Sequence, residues 1–367
     1  MLQSKLGGLV VEPFRLRGEF LPHKNLSLYP QLRIMGNKYK LLPWIGKTLN
    51  ELEFNTAFDG FSGSGCVGYL LKCMGKRVNS NDFLNFSYHI SNALIANSET
   101  KFQDQDLTDI LVFNPHGKNF ITNKFRGIFF NDDDLKFLDN TWANLRSLFN
   151  PFKKSIVIAA LCRACLKKQP RGVFTTVTAG NGKYDDGRRD LCLSLKEHFI
   201  ESIQLFNSLI FDNGQNHQAT CNDIFNVDPT RYDLVYFDPP YVPRSDDNCY
   251  IKRYHFLEGL SCYWEGVELL EESVVKKLKK KYTPFSYRRK SLDAFTNLFN
   301  MFKKSIIVLS YSTNGYPDKE DLIKILKQVK GRDNVLIKTM NYTYSFGSHK
   351  NVTNERKHVE EYLLIGV

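Results

Sequence analysis

The stretch 55-NTAFDGFSGSGCVGYLLKCMGKRVNSNDF-83 limits the folds open to this chain more than any other. An apolar strand over 55–61 runs into a glycine turn, and the turn into a helix that closes near Gly75. A second strand follows at once over 76–83. Strand, helix and strand in so few residues make a βαβ unit, whose crossover is right-handed in nearly all cases. The chain is therefore α/β, with the glycine turn on the carboxyl edge of a sheet, where ligands gather.

The turn contains Gly63 and Gly65, two residues apart. Glycine allows positive φ and lets a ligand approach the backbone, and the free N–H groups of the next helix face the same place. Phe61 precedes the pair, and Asp82 ends the second strand, where a carboxylate can take hydrogen bonds from ribose hydroxyls. Asn81 and Asp82 could equally cap the following helix. Gly68 completes the dinucleotide spelling, so spelling alone leaves a nicotinamide cofactor open; no lysine follows in the position a P-loop requires.

A second feature sharpens the choice. In 232-YDLVYFDPPYV-242 a short apolar run, suited to burial on both faces, ends abruptly in Asp238, Pro239, Pro240 and Tyr241. Prolines cannot continue a sheet, so a carboxylate and an aromatic ring are pinned at a strand end. Further strands are expected at 219–225 and 305–312, a helix over 318–330, and a closing hairpin from 335–346 and 358–367. A helix after Gly36 is expected to be interrupted by Pro43, and another spans 191–209. The segments 148-LFNPFKKSIVIA-159 and 298-LFNMFKKSIIVL-309 nearly repeat each other, yet the first continues in helix-favouring residues and the second in β-branched ones. They are expected to form a helix and a strand respectively.

A formal charge of +11 points to a polyanionic partner, most simply nucleic acid; an anionic membrane surface is the weaker rival, since no basic amphipathic helix can be traced. No run is long enough to span a bilayer, and the N-terminus lacks the pattern of a signal peptide, so a cytoplasmic protein is expected. The eight cysteines read as reduced thiols. Cys162 and Cys165 have metal-like spacing without a second ligand pair, so no metal site is expected.

The order of 33-RIMGNKYKLL-42, 59-DGFSGSG-65, 81-ND-82, 222-ND-223, 238-DPPY-241 and 310-SYSTNG-315 resembles the D12-class, Dam-like family of DNA adenine-N6 methyltransferases, from about residue 30 to the end. One departure is that Ile34 and Met35 stand where the family often has an aromatic residue. The resemblance implies a Rossmann-like, S-adenosylmethionine-dependent methyltransferase core, a mixed sheet with helices on both faces. The core would be discontinuous, over 25–100 and 205–367, with a target-recognition insertion at 101–204. It implies that Lys38, Phe61, Gly63, Gly65, Asp82, Asp223 and Asp238 bind the cofactor. It also implies double-stranded DNA as substrate and a restriction endonuclease as possible counterpart.

The exocyclic amine of adenine is a poor nucleophile because its lone pair is delocalised into the ring. A site must accept its N–H groups while the nitrogen becomes tetrahedral, and Asp238 with the carbonyl of Pro239 would do so by preorganised electrostatics. Tyr241 would stack on the base. The target must leave the duplex, at a cost of a few kcal/mol. Lys167, Lys168, Arg171, Arg188 and Arg189 around a glycine-rich loop, and Lys281, Arg288 and Arg289 among Tyr282, Phe285 and Tyr287, are the candidate DNA contacts. Cytosine-N4 methylation, RNA methylation and a catalytically silent DNA-binding subunit stay open as alternatives, the first disfavoured by Asp238.

Overall fold

The computed structural model describes residues 23–180, 187–240, 242–243, 250–345 and 356–367. One sheet of seven strands organises the molecule. In chain order they are β1 (Thr56–Asp59), β2 (Arg77–Asp82), β3 (Gln218–Cys221), β4 (Leu234–Phe237), β5 (Ile306–Ser312), β6 (Val335–Ser345) and β7 (Arg356–Gly366). Across the sheet the order is β3-β2-β1-β4-β5-β7-β6. The first five in that row are parallel, and β7 runs antiparallel between β5 and β6. From β1 the chain builds outward to β2 and β3, then resumes on the other side with β4. The carboxyl ends of β1 and β4 therefore flank the point where strand order reverses, the place open α/β sheets use for ligands.

Alternation explains why the central strands are apolar on both faces. Leu234 and Tyr236 of β4 face one apolar cluster, Val235 and Phe237 the other, and all four are buried. Helices Arg288–Met301 and Lys319–Lys330 cover the second face. The first face carries helices Leu42–Asn50, Cys66–Cys73 and Asn85–Ser91. Pro43 does not interrupt its helix as expected. It stands in the first turn of Leu42–Asn50, where its missing N–H would have no partner anyway.

The residues between 101 and 204 contribute helices Asp104–Leu111, Phe120–Phe125, Asp132–Leu145 and Pro151–Lys168, followed by Leu195–Leu209. The last starts later than the expected 191, because Ser194 and Glu197 form a reciprocal capping box. Helix Pro151–Lys168 is apolar enough to be buried along most of its length, and it lies against Asn85–Ser91 of the sheet layer. Ser155 joins the two by accepting from Asn92 Nδ2 at 2.8 Å and meeting His89 Nδ1 at 3.0 Å. The apolar cluster of the first sheet face runs without a break into these helices.

The near-repeat divides as expected, into helix Pro151–Lys168 and strand β5. Asn150 caps the first copy, its Oδ1 accepting from the N–H groups of Phe152 and Lys153, and Pro151 supplies the first helical residue. In the second copy the preceding helix ends at Met301 and the Lys-Lys pair forms the turn into the strand. Among the described residues no helix is long and apolar enough to cross a membrane.

Candidate active site

Two buried carboxyls and a third, half-buried one mark the carboxyl edge around the strand reversal. Asp59, ending β1, accepts from Gly68 N–H at 2.9 Å. A Cβ at Gly68 would stand 2.7 Å from Ile95 Cδ1 and 3.0 Å from Asp59 Oδ2, so glycine is needed there for close helix–strand packing. Burial pushes the Asp59 carboxyl up to about 8. Asp82, ending β2, accepts from Gly63 N–H at 2.8 Å and from Leu84 N–H at 2.9 Å, and burial raises it to about 6. Its side chain thus clamps the glycine turn to the next helix while facing the cleft. Gly63 and Gly65 take positive φ, +50° and +75°. The Gly68 N–H is thus spent on Asp59 rather than offered to a ligand.

Asp238 follows β4 directly. Its Oδ1 lies 2.7 Å from Lys38 Nζ, which also donates to the Gly36 carbonyl at 3.1 Å. Lys38 is buried, whereas 19% of the Asp238 side chain is open toward the cleft. Burial raises the proton affinity of Asp238, and the Lys38 ammonium opposes it. The segment that brings Lys38 here is held on three sides. Met35 N–H donates to Tyr254 OH at 2.6 Å, Asn37 Nδ2 donates to Leu32 O at 2.8 Å, and Tyr29 OH donates to Ser64 O at 2.6 Å. Tyr29 and Tyr254 carried no signal in the sequence, since their partners are remote.

Two adjoining compartments open beside Asp238. The larger encloses ≈ 580 Å³ between Met35, Lys38, Phe61, Gly63, Asp82 and Asp238, with Phe83, Phe86 and Ser87 as further walls. The smaller, ≈ 350 Å³, is bounded by Asn222, Asp223, Ile224, Phe61, Phe83 and Phe285. Pro240 borders both. Asp223 caps a single helical turn, its Oδ1 accepting from Phe225 N–H at 3.0 Å, and still faces the smaller compartment. Phe83, Phe86, Ser87 and Phe285 were not expected as lining residues; the first follows Asp82 directly, which was the one available signal. Phe285, expected beside DNA, is instead buried edge-on against Phe61 at 5.3 Å. Tyr311 is a core residue packed on Phe295 and Tyr362. Tyr241 lies outside the described residues.

The basic candidates are distributed unevenly. Lys168 pairs with the buried Asp134 at 2.7 Å, and Lys167 with Asp190 and Glu201 at 3.3 and 3.2 Å. Arg189 pairs with Glu201, and Arg188 donates to Pro170 O at 3.1 Å. Arg33 reaches Asp190 at 2.7 Å, joining this network to the segment that carries Lys38. Arg171 and Arg289 are exposed. Lys281 bonds the buried Glu258 at 2.6 Å and Phe83 O at 3.1 Å, and Arg288 lies 4.1 Å above the Tyr316 ring. Cys162 and Cys165 are buried on one helix, and among the described residues no His, Cys, Asp or Glu group could hold a metal ion.

A seven-stranded mixed sheet with helices, its central strand ending in Asp-Pro-Pro beside the cleft, is the fold of an α/β methyltransferase. The chain belongs to the D12 class of N6 adenine-specific DNA methyltransferases, whose family model matches residues 35–314. It is 27% identical over 354 residues to the type II methyltransferase M2.HphI of Haemophilus parahaemolyticus, covering 93% of this chain and 99% of that one. It is 23% identical over 365 residues to the modification methylase LlaI of Lactococcus lactis subsp. lactis, covering 91% of this chain and 54% of that one. To the type II methyltransferase M.FokI of Planomicrobium okeanokoites it is 25% identical over 354 residues, covering 88% and 51%. The chain therefore spans about half the length of the latter two.

Proposed function

We propose that the chain transfers the methyl group of S-adenosylmethionine to N6 of an adenine extruded from double-stranded DNA, as the modification enzyme of a cytoplasmic restriction–modification system with a cognate endonuclease. The observation that carries this is Asp238, held by Lys38 at the strand reversal on the wall of the larger compartment, two residues before Pro240, which borders both. The cleft suits the donor. Asp82 and Asp238 line it, and the Lys38 ammonium there is already paired with Asp238, which suits a sulfonium. The wholly buried Ser87 Oγ on its wall has no partner among the described residues. Lys38, Phe61, Gly63, Asp82 and Asp238 would hold the amino-acid and ribose parts, with Gly65 shaping the turn. Asp223 with Phe285 would hold the adenine.

The bound donor supplies an electrophilic methyl group. This chain's residues do the rest. With Oδ1 engaged by Lys38, Asp238 presents Oδ2 to the target amine, and the Pro239 carbonyl accepts its second N–H. The two acceptors draw the lone pair out of the ring and steady the charge that develops on nitrogen. The raised proton affinity of Asp238 suits it to take the surplus proton once the new N–C bond forms. Tyr241 would cover the base. Residues 101–204 would form the target-recognition segment, with Lys167, Lys168, Arg171, Arg188 and Arg189 contributing positive potential and Arg288 and Arg289 extending it. Lys281 serves by anchoring its segment.

The test is transfer of labelled methyl from S-adenosylmethionine to unmethylated phage DNA, followed by digestion to nucleosides. N6-methyladenine is the expected product. N4-methylcytosine, transfer only to RNA, or no transfer would each overturn the proposal.

A further inference from the structure

Residues 280–288 line the smaller compartment and a neighbouring recess and have two unlike faces. The inner face is fixed. Lys281 is bonded to Glu258 and to the Phe83 carbonyl, and Phe285 sits in a cluster of rings with Phe61, Phe225 and Phe295. The outer face holds Tyr282 and Tyr287, stacked with centroids 5.0 Å apart and planes 27° from parallel. These rings remain 58% and 39% exposed.

Their surroundings say what would cover them. Tyr282 borders the compartment of Asp223 and Phe285. Tyr287 borders a third recess, shared with Lys281, whose walls Phe83, Pro240 and Tyr250 also line the donor cleft. Lys280 Nζ stands 5.8 Å from the centre of the Tyr287 ring. The next residue, Arg288, lies over Tyr316, which pairs with Val242 just beyond the Asp-Pro-Pro motif. Aromatic faces and cations thus alternate from the donor compartment to the loop after Asp238. Exposed ring faces interleaved with cations are what unstacked bases and their phosphates recognise, and they do so without regard to sequence.

We propose that the Tyr282–Tyr287 pair is a stacking platform that receives the target adenine as it leaves the duplex, beside Pro240 and before it reaches Asp238. The proposal rests on the reading that the chain methylates an extruded adenine. The platform replaces the stacking given up on extrusion, so its value depends on how firmly the adenine was held in the duplex.

The experiment uses the full chain and two duplexes carrying the site identified by sequencing methylated DNA from expressing cells. In one the target adenine is paired; in the other it faces an abasic residue. Single-turnover transfer is measured at saturating S-adenosylmethionine. The Tyr282→Ala plus Tyr287→Ala variant is expected to lose about ten-fold or more on the paired duplex and less than about three-fold on the abasic one. Tyr282→Phe plus Tyr287→Phe, which keeps both faces, should match the native chain on both. Equal losses on the two duplexes, no loss on either, or a Phe variant as poor as the Ala variant would overturn the proposal. If thermal melting shows the double Ala variant to be misfolded, Tyr282→Ala alone, at the more exposed ring, carries the same comparison. No transfer by the native chain to either duplex would overturn the methyltransferase reading and the platform with it.

Discussion

The sheet rim and the ion-pair network of residues 167–201 both concentrate charge, and they treat carboxylates in opposite ways. At the rim Asp59 and Asp82 are buried and met mainly by backbone N–H groups, and their proton affinity rises, to about 8 and about 6. In the network Glu201 is partly open and bonded by Arg189 and Lys167, and it is pulled down to about 2. Desolvation wins where the partners are neutral dipoles, and ion pairing wins where they are cations near water. The rim therefore holds carboxyls that resist ionisation, and of the two Asp82 borders the cleft. The network pairs much of its charge internally and leaves Arg171 and Arg189 exposed at its edge.

Breaking that contrast at its sharpest point gives the largest effect. Asp238→Ala should lower methyl transfer by about 10²- to 10³-fold, as loss of a preorganised acceptor at the reacting atom implies, while duplex binding persists. Radiolabel transfer and a gel-shift assay on one preparation check both halves. Turnover near the native rate would remove Asp238 from the chemistry.

A smaller effect separates the two regions by the sign of their pH dependence. A raised folded-state pKa stabilises most below the unfolded value near 4, and that contribution is lost as pH rises through 6 for Asp82 and 8 for Asp59. A depressed one, as at Glu201, stabilises above the ordinary carboxylate range and is lost only as pH falls through about 2. Of these three carboxyls, then, only the two at the rim should respond between pH 5 and 8. Asp59→Asn keeps an acceptor for Gly68 N–H and cannot ionise. Its urea-unfolding free energy should fall less over that range than the native chain's, by up to about 1 kcal/mol per pH unit. Parallel pH curves for the two proteins would show that Asp59 does not titrate there.

The smallest effect lies in the network. Arg188→Ala plus Arg189→Ala should reduce the dependence of log Kd for DNA on log salt by about one unit for each phosphate no longer neutralised, with little change in melting. An unchanged slope would assign both arginines to holding the loop rather than the substrate.

What could be foreseen from the sequence follows the same division. The βαβ unit, the strand ending in Asp-Pro-Pro and the closing hairpin are local patterns, and all three are present as expected. Even the near-repeat resolves correctly, because Asn150-Pro151 is a helix start and Asn300-Met301 is not. Lys38 meeting Asp238, Lys281 meeting Glu258 and Tyr29 meeting Ser64 are contacts across long chain separations. No periodicity encodes them. Lysines 167, 168 and 281 illustrate the cost: as letters they are surface charges, and only the fold reveals that carboxylates already hold them.

Helix Pro151–Lys168 has a further consequence, because it leans on Asn85–Ser91 and shares the apolar cluster of the sheet. A segment joined to its neighbour in this way is not a cassette. Grafting residues 101–204 from a relative would transplant one half of an interface and leave the other behind, so hybrid chains should need compensating substitutions along 85–92 before they fold.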